Sequence, residues 1–149
     1  NDLLIPEVAE LIRQGHTVTL TARGNSMNPF IVDRRDRVVL SPCTDAQLQP
    51  GAVVLALTDA HRYVLHRIIS IKGDEVILRG DGNVGVEHCH RNDVKGFAIG
   101  FYRKGRKKID KTNSFKWRFY SLVWCLLLPV RPYLLAAYRR LWLTHFKPI

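Results

Sequence analysis

The sequence is poor in cysteine and has no long apolar segment. Its three cysteines, Cys43, Cys89 and Cys125, are widely spaced and odd in number, so they do not form the disulfide framework of a small secreted domain, although one pair could still bridge. The longest nearly uninterrupted apolar run, residues 120–128, is well short of the roughly 20 residues that cross a bilayer. The first residues lack the apolar stretch of a signal peptide, because Pro6 interrupts them and acidic residues follow. We therefore expect neither a disulfide scaffold nor an ordinary transmembrane helix.

Acidic residues are almost absent from the end of the chain. Residues 1–102 contain 11 Lys or Arg and 12 Asp or Glu, whereas residues 103–149 contain 12 Lys or Arg and a single acid, Asp110. The net charge of +10 therefore comes from the tail alone. The apolar content of 46% is ample for a packed core in a chain of 149 residues, which predicts one domain with an appendage.

Hydrophobic periodicity divides the chain into three parts. Residues 1–16 contain a short helix, predicted at residues 6–14 from the helical spacing of their apolar positions. Residues 17–102 form a β domain of short apolar or alternating runs, separated by turns rich in Gly and Asp. The predicted strands are residues 16–22, 38–40, 52–57, 63–71, 75–78 and 95–102. Residues 103–149 form a basic tail with two apolar helices, which two prolines separate.

These segments predict a mainly β fold. The strand spacing favours a small antiparallel barrel or folded sheet, with a short N-terminal helix and a helical C-terminal tail. The two tail helices are predicted at residues 117–130 and 133–146.

Ser26 lies in a short polar stretch, GNSMNP at residues 24–29, directly after a predicted strand. Ser, Asn, Gly and Pro are common in tight connections, so Ser26 is either a turn residue or a nucleophile. A nucleophilic serine needs a base that the fold brings to it. Among six histidines, His66 stands out because it lies between apolar neighbours within a predicted strand, where a polar ring must face a groove or find a buried partner. Taken alone, such a residue is more often a structural histidine.

Five short segments between residues 21 and 96 carry further motifs in a fixed order. They are GNSMNP at 24–29, DRVVL at 36–40, PGAVV at 50–54, VLHRI at 64–68 and LRGDGN at 78–83. This order resembles the signal peptidase and SOS-repressor self-cleavage superfamily, in which a Ser-Met-x-Pro box, a bend into a strand, a Gly-[DE]-[IV]-V strand, a Lys-Arg or His-Arg strand and a Gly-Asp box follow one another. His66 replaces the lysine of the repressors and usual bacterial enzymes, as in the endoplasmic-reticulum, archaeal and sporulation-type signal peptidases.

The resemblance implies a serine peptidase site. Ser26 would be the nucleophile, His66 the general base and Asp81 the carboxylate that orients or electrostatically supports the base. An imidazole with a pKa of about 6.5 can accept the serine proton at neutral pH, and a backbone N–H near the serine would stabilise the oxyanion. The other matched residues would give structural or substrate-orienting support: Met27, Pro29 and Arg67.

Other candidate residues fit this chemistry less well. Lys72 lies at a predicted turn six residues after His66, which is a poor position for a lysine base. The His-Cys-His triplet at residues 88–90 offers metal ligands, but neighbouring side chains of an extended chain point in opposite directions. We therefore predict a loop pair of histidines there, no metal site and no cofactor. His-type enzymes often have a second acidic residue after the Gly-Asp box; the nearest, Glu87 and Asp93, receive no role.

The basic tail has three interpretations. Its arginines and lysines stand between aromatic positions, which is typical of an interfacial anchor on an anionic membrane: Arg131, Arg139, Arg140 and Lys147. Alternatively, its apolar faces pack on the β domain or on a partner, and the arginines are solvated. Nucleic acid is the third option and the least favoured. We expect a peripheral membrane protein on the cytoplasmic side, with a soluble cytoplasmic protein as the alternative.

Together these observations predict a serine endopeptidase that cleaves an extended peptide or protein segment. The peptide would add along a strand beside the groove, with small residues before the scissile bond as the resemblance implies. The alternative is a catalytically inactive β module that binds a peptide or a membrane. The activity of a peptidase of this kind increases as the pH rises past the pKa of His66.

Overall fold

The chain forms one curled antiparallel sheet, with a helix before it and two helices after it. The structure is a computed structural model that describes residues 4–145. Its helices and strands are, in chain order, α1 (Leu4–Arg13), β1 (Val18–Thr21), β2 (Arg37–Ser41), β3 (Val53–Leu57), β4 (Tyr63–Lys72), β5 (Glu75–Arg79), β6 (Glu87–His90), β7 (Val94–Tyr102), β8 (Asp110–Lys111), α2 (Phe115–Leu126) and α3 (Arg131–His145).

The strand order places β4 inside the sheet and β1 at its edge. The order is β1-β2-β7-β3-β4-β5-β6, with β8 pairing with β7, and the strand pairs are antiparallel. Strands β3 to β6 form a meander of hairpins, and β7 then returns between β2 and β3. In this register His66 of β4 lies opposite Val54 of β3, whereas Arg67 lies between Val53 and Arg79.

Apolar side chains cover both faces of the sheet at β3. Val53 and Leu55 belong to one buried cluster, and Val54 and Ala56 belong to another. Successive residues of a strand point to opposite faces, so the continuous apolar sequence of β3 reflects burial on both sides. The first cluster also contains residues of α1, of the connection between β1 and β2, and of both tail helices.

The tail packs one side against the sheet and leaves the other side exposed. Trp117 and Trp124 of α2 and Leu135 of α3 are buried in the first cluster. The large exposed apolar residues of these helices include Phe115, Phe119, Leu122, Leu126, Tyr133 and Leu141. Within the described residues, no single helix is long and apolar enough to cross a membrane; Phe115–Leu126 and Arg131–Leu141 reach that length and composition only as a pair bent by 113°.

The mainly β fold, the N-terminal helix and the C-terminal helices are confirmed. The predicted loop at residues 88–90 is wrong, because these residues belong to β6 and pair with β5. Cys89 is buried there, while His88 and His90 face outward and lie within hydrogen-bond distance of acidic residues of the β4–β5 hairpin. The boundaries predicted at residues 16 and 102 stay predictions. Phe146 and Lys147, two predicted tail residues, lie outside the described residues.

Candidate active site

Ser26 lies at the start of a tight turn in the connection between β1 and β2. The N–H groups of Phe30 and Ile31 both donate to the carbonyl oxygen of Met27, 3.1 Å away. Met27, Phe30 and Ile31 are buried in the core, and they hold the turn in place while Ser26 stays half-exposed. Pro29 is half-buried in the same turn and follows a cis peptide bond. The apolar residues of this turn explain why Ser26 occupies a fixed position.

The Gly-Asp box packs directly on the Ser26 turn. The N–H of Gly82 donates to the carbonyl oxygen of Ser26 at 2.8 Å, and the N–H of Asp81 lies 3.4 Å from Met27 Sδ. A Cβ atom at Gly80 would lie 2.3 Å from the Ser26 carbonyl oxygen, and a Cβ at Gly82 would lie 2.5 Å from the carbonyl oxygen of Asn25. Only glycine fits at either position, because the backbones of the two loops touch.

His66 lies beside this contact and is almost completely buried, with 3% of its surface exposed. Its Nε2 lies 3.1 Å from the point that a Cβ of Gly80 would occupy. The imidazole and the Ser26 backbone therefore lie close to the same glycine. Within the described chain, no direct hydrogen bond joins the Ser26 hydroxyl to His66. The structure thus brings the predicted nucleophile and base into one neighbourhood without a hydrogen bond between their side chains.

Ser26 and His66 line one small pocket, which we call the Ser26 pocket. Its volume is about 180 Å³. The rest of its wall comes mainly from apolar residues of β1 to β4 and of the Ser26 turn: Leu20, Ala22, Met27, Ile31, Val38, Leu40, Leu55, Tyr63, Val64 and Leu65. Since β1 is an edge strand, an extended chain can pair with it next to this pocket.

The carboxylate that contacts the imidazole belongs to Glu87. Its Oε2 lies 2.6 Å from His66 Nδ1, which is within hydrogen-bond distance. Nδ1 carries the proton in this arrangement, which leaves Nε2 as the acceptor. Sequence reasoning considered Glu87 and gave it no role. Glu87 of β6 pairs with Leu78 of β5, which carries its carboxylate towards His66, but β6 itself was not predicted.

Burial lowers the pKa of His66 below its ordinary value of 6.5. The negative charges of Glu87 and Asp81 raise this pKa in the opposite direction, and Arg62 lowers it slightly. Burial is the largest of these effects, so the imidazole is neutral at neutral pH. A neutral imidazole is the form that can accept a proton.

Asp81 contacts Arg67 rather than His66. Its two carboxylate oxygens accept hydrogen bonds from Arg67 Nε and Nη2 at 2.8 and 2.6 Å, and both side chains are buried. The carboxylate in contact with the imidazole is therefore that of Glu87, while the charge of Asp81 raises the pKa of His66 without contact; the role of Asp81, to orient or electrostatically support the base, stays a prediction.

Arg67 is a buried connector of three segments. Besides Asp81, its Nη1 donates to the Gly51 carbonyl oxygen at 3.0 Å and to Ser121 Oγ of α2 at 2.7 Å. Its guanidinium also lies 5.4 Å from the ring centre of Trp117. These contacts are all internal, so the position of Arg67 fits structural support rather than contact with a substrate.

No protein-family model, curated protein or solved structure matches this chain.

Proposed function

We propose that this protein is a serine endopeptidase in which His66 activates Ser26. One observation carries the proposal. A buried, neutral imidazole has Nδ1 on the carboxylate of Glu87 and Nε2 beside the turn that carries Ser26, at a pocket that both residues line. The order of sequence motifs supports the same chemistry through its resemblance to the signal peptidase superfamily.

The reaction follows from these positions. Ser26 Oγ attacks the scissile carbonyl carbon while His66 Nε2 takes the hydroxyl proton, and the imidazolium then gives this proton to the leaving amine. Water then attacks the acyl carbon while His66 Nε2 takes one of its protons, and the imidazolium returns this proton to Ser26 Oγ as the acyl group leaves as an acid. Glu87 stabilises the imidazolium because its negatively charged carboxylate lies beside Nδ1. The first step requires the Ser26 hydroxyl and His66 Nε2 to come within hydrogen-bond distance, and hydrogen bonds of this kind often tighten only in the complex with substrate.

The substrate proposal comes from the surroundings of the serine. An extended peptide adds to the free edge of β1, and one side chain enters the Ser26 pocket. The volume of about 180 Å³ has room for such a side chain. The preference for small residues before the scissile bond comes from the resemblance alone.

The second candidate is a catalytically inactive β module that binds a peptide in the same groove. The missing hydrogen bond between Ser26 and His66 favours this candidate. The two candidates differ in whether a bound peptide is cut, so cleavage and binding have to be measured on the same peptides.

The decisive experiment is cleavage of a peptide library, followed by mass spectrometry. We expect Ser26→Ala to abolish cleavage and His66→Ala to lower its rate by about 10²- to 10⁴-fold. The matched controls are Ser41→Ala and His16→Ala, which change the same residue types outside the site and should keep full activity. If peptides bind to the parent protein but none is cut, the peptidase proposal fails and the binding module replaces it.

We also propose that the tail docks on an anionic membrane. Phe115 and Tyr133 are 83% and 78% exposed, and no acidic residue follows Asp110 in the sequence. Exposed aromatic and aliphatic side chains beside basic ones match the interface of an anionic bilayer.

Vesicle cosedimentation tests the docking of the tail. The protein should bind vesicles of phosphatidylglycerol more tightly than vesicles of phosphatidylcholine, and salt should weaken the binding. Leu126→Asp on α2 should weaken it about tenfold or more, whereas Leu4→Asp, an exposed leucine of α1, should leave it unchanged. Equal binding to both kinds of vesicle, or equal effects of the two variants, would contradict the proposal.

A further inference from the structure

A second and larger cavity lies between α2 and the sheet. Its volume is about 760 Å³, and neither Ser26 nor His66 lines it. Its wall comes from the β2–β3 connection, from strands β3, β4, β5 and β7 and from helix α2, and Arg131 at the start of α3 also lines it. We call it the α2 cavity. A volume of this size is typical of sites for small organic ligands.

The charges at the α2 cavity are all of one sign. Three arginines line it, Arg79, Arg118 and Arg131, and no Asp or Glu is among its described lining residues. The wall is otherwise largely apolar, with Ile68, Phe97 and Trp117 among its members. A ligand that fits such a wall combines a negative charge with a hydrocarbon part.

Arg131 is the second and independent observation. It is 1% exposed, and only its Nη2 has a described acceptor, the Trp124 carbonyl oxygen at 3.0 Å. Its Nε and Nη1 are buried with no hydrogen-bond partner among the described residues, and so is Nε of Arg79. A buried guanidinium with unpaired donors is costly, because it has lost water without gaining acceptors.

The electrostatics agree with this geometry. Burial lowers the pKa of Arg131; the charge of Asp81 raises this pKa in part, and the neighbouring charges of Arg79 and Arg67 lower it further. An anion at the cavity wall would reverse these effects, since it would supply both acceptors and an opposite charge.

We propose that the α2 cavity binds an anionic amphiphile, whose carboxylate or phosphate pairs with Arg131 and Arg79 and whose hydrocarbon chain lies on the apolar wall. An inorganic anion would pair with the arginines only, and an uncharged hydrocarbon would contact the apolar residues only. The inference does not depend on the peptidase proposal, since the two sites have different lining residues.

Calorimetric titration of the full chain with dodecanoate tests the inference, with the intrinsic tryptophan fluorescence, to which Trp117 in the cavity wall contributes, as a second readout. Dodecanoate should bind, whereas dodecanol, with the same chain and no charge, and inorganic phosphate should bind at least tenfold more weakly. Comparison with dihexanoyl phosphatidylglycerol identifies the source of the ligand. Tighter binding of this phospholipid assigns a membrane lipid, and tighter binding of dodecanoate assigns a free fatty acid; both outcomes support the shared chemistry.

The variants separate specific binding from general attraction to a basic tail. Arg131→Met should weaken dodecanoate binding by about 10- to 100-fold, and the control Arg140→Met, an exposed arginine of α3, should leave it unchanged. If circular dichroism shows that Arg131→Met does not fold, the same titration is made with Arg79→Met, which replaces a half-buried arginine of the cavity. We expect this variant to bind dodecanoate about tenfold more weakly. Absence of binding, equal binding of dodecanol, or equal losses in Arg140→Met and the cavity variants would overturn the proposal.

Discussion

Replacing Glu87 by Gln removes the negative charge that contacts His66 Nδ1 but keeps the shape of the side chain. The pair is largely shielded from water, since 4% of the His66 side chain and 25% of the Glu87 side chain are exposed. An interaction with a charged partner of this kind contributes about 1.5–3 kcal/mol. In the proposed mechanism it is strongest when the imidazolium forms, so its loss should lower kcat by roughly 10- to 150-fold. KM should change little, because Glu87 does not lie among the residues of the Ser26 pocket.

The pH dependence of the same variant gives a second and independent readout. The charge of Glu87 raises the pKa of His66, so Glu87→Gln should shift the acid limb of the kcat profile to lower pH. The assay is cleavage of the best library peptide between pH 4.5 and 8. Glu75→Gln is the matched control, because Glu75 lies 2.7 Å from His88 Nδ1 in a similar but exposed pair. A kcat within twofold of the parent and an unmoved acid limb would refute the role of Glu87.

Three further predictions concern the loop that holds the site and the titration of its histidine. Gly80→Ala should lower both activity and stability, because its Cβ would lie 2.3 Å from a backbone oxygen of the serine turn, whereas Gly85→Ala meets nothing within 4 Å and should behave like the parent in urea unfolding. Asp81→Asn should cost about 3–5 kcal/mol in the same measurement, because it leaves Arg67 buried beside a neutral partner; a loss below about 1 kcal/mol would contradict this account. Stability should fall as the pH falls below 6.5 towards the lowered pKa of His66, because the unfolded chain takes up the proton first, and His66→Gln should flatten this part of the profile.

The fold was predictable wherever strands and turns have strong local signals. Hairpin turns and apolar runs predict β3, β4 and β5 with boundaries within one residue of those in the structure. Strand β6 was missed because its sequence, Glu-His-Cys-His, has a single apolar residue. It is a strand because Val76 of β5 pairs with Cys89 and buries it, and such long-range pairing is invisible to local propensity.

The candidate site was predictable in its residues but not in its pairing. Ser26 and His66 line one pocket, as their motifs led us to expect. The partners of the two carboxylates could not be inferred, because His66 and Arg67 are neighbours on β4 and point to opposite faces. Asp81 reaches the guanidinium through the loop after β5, and Glu87 reaches the imidazole from β6. Which carboxylate contacts His66 and which contacts Arg67 depends on the three-dimensional path of the chain.

The tail and the site are joined more closely than the change in composition at residue 103 suggests. Trp124 of α2 donates its Nε1 proton to the Asp81 carbonyl oxygen at 3.1 Å, and Arg139 of α3 donates to the Gly82 carbonyl oxygen at 3.3 Å. Gly82 in turn donates its N–H to the carbonyl oxygen of Ser26. Both tail helices therefore donate hydrogen bonds to the Gly-Asp loop, and this loop donates a hydrogen bond to the Ser26 turn. A membrane in contact with the exposed side of these helices would act on helices that hydrogen bonds link to the turn of the proposed nucleophile. Membrane docking would therefore be coupled to the proposed catalysis.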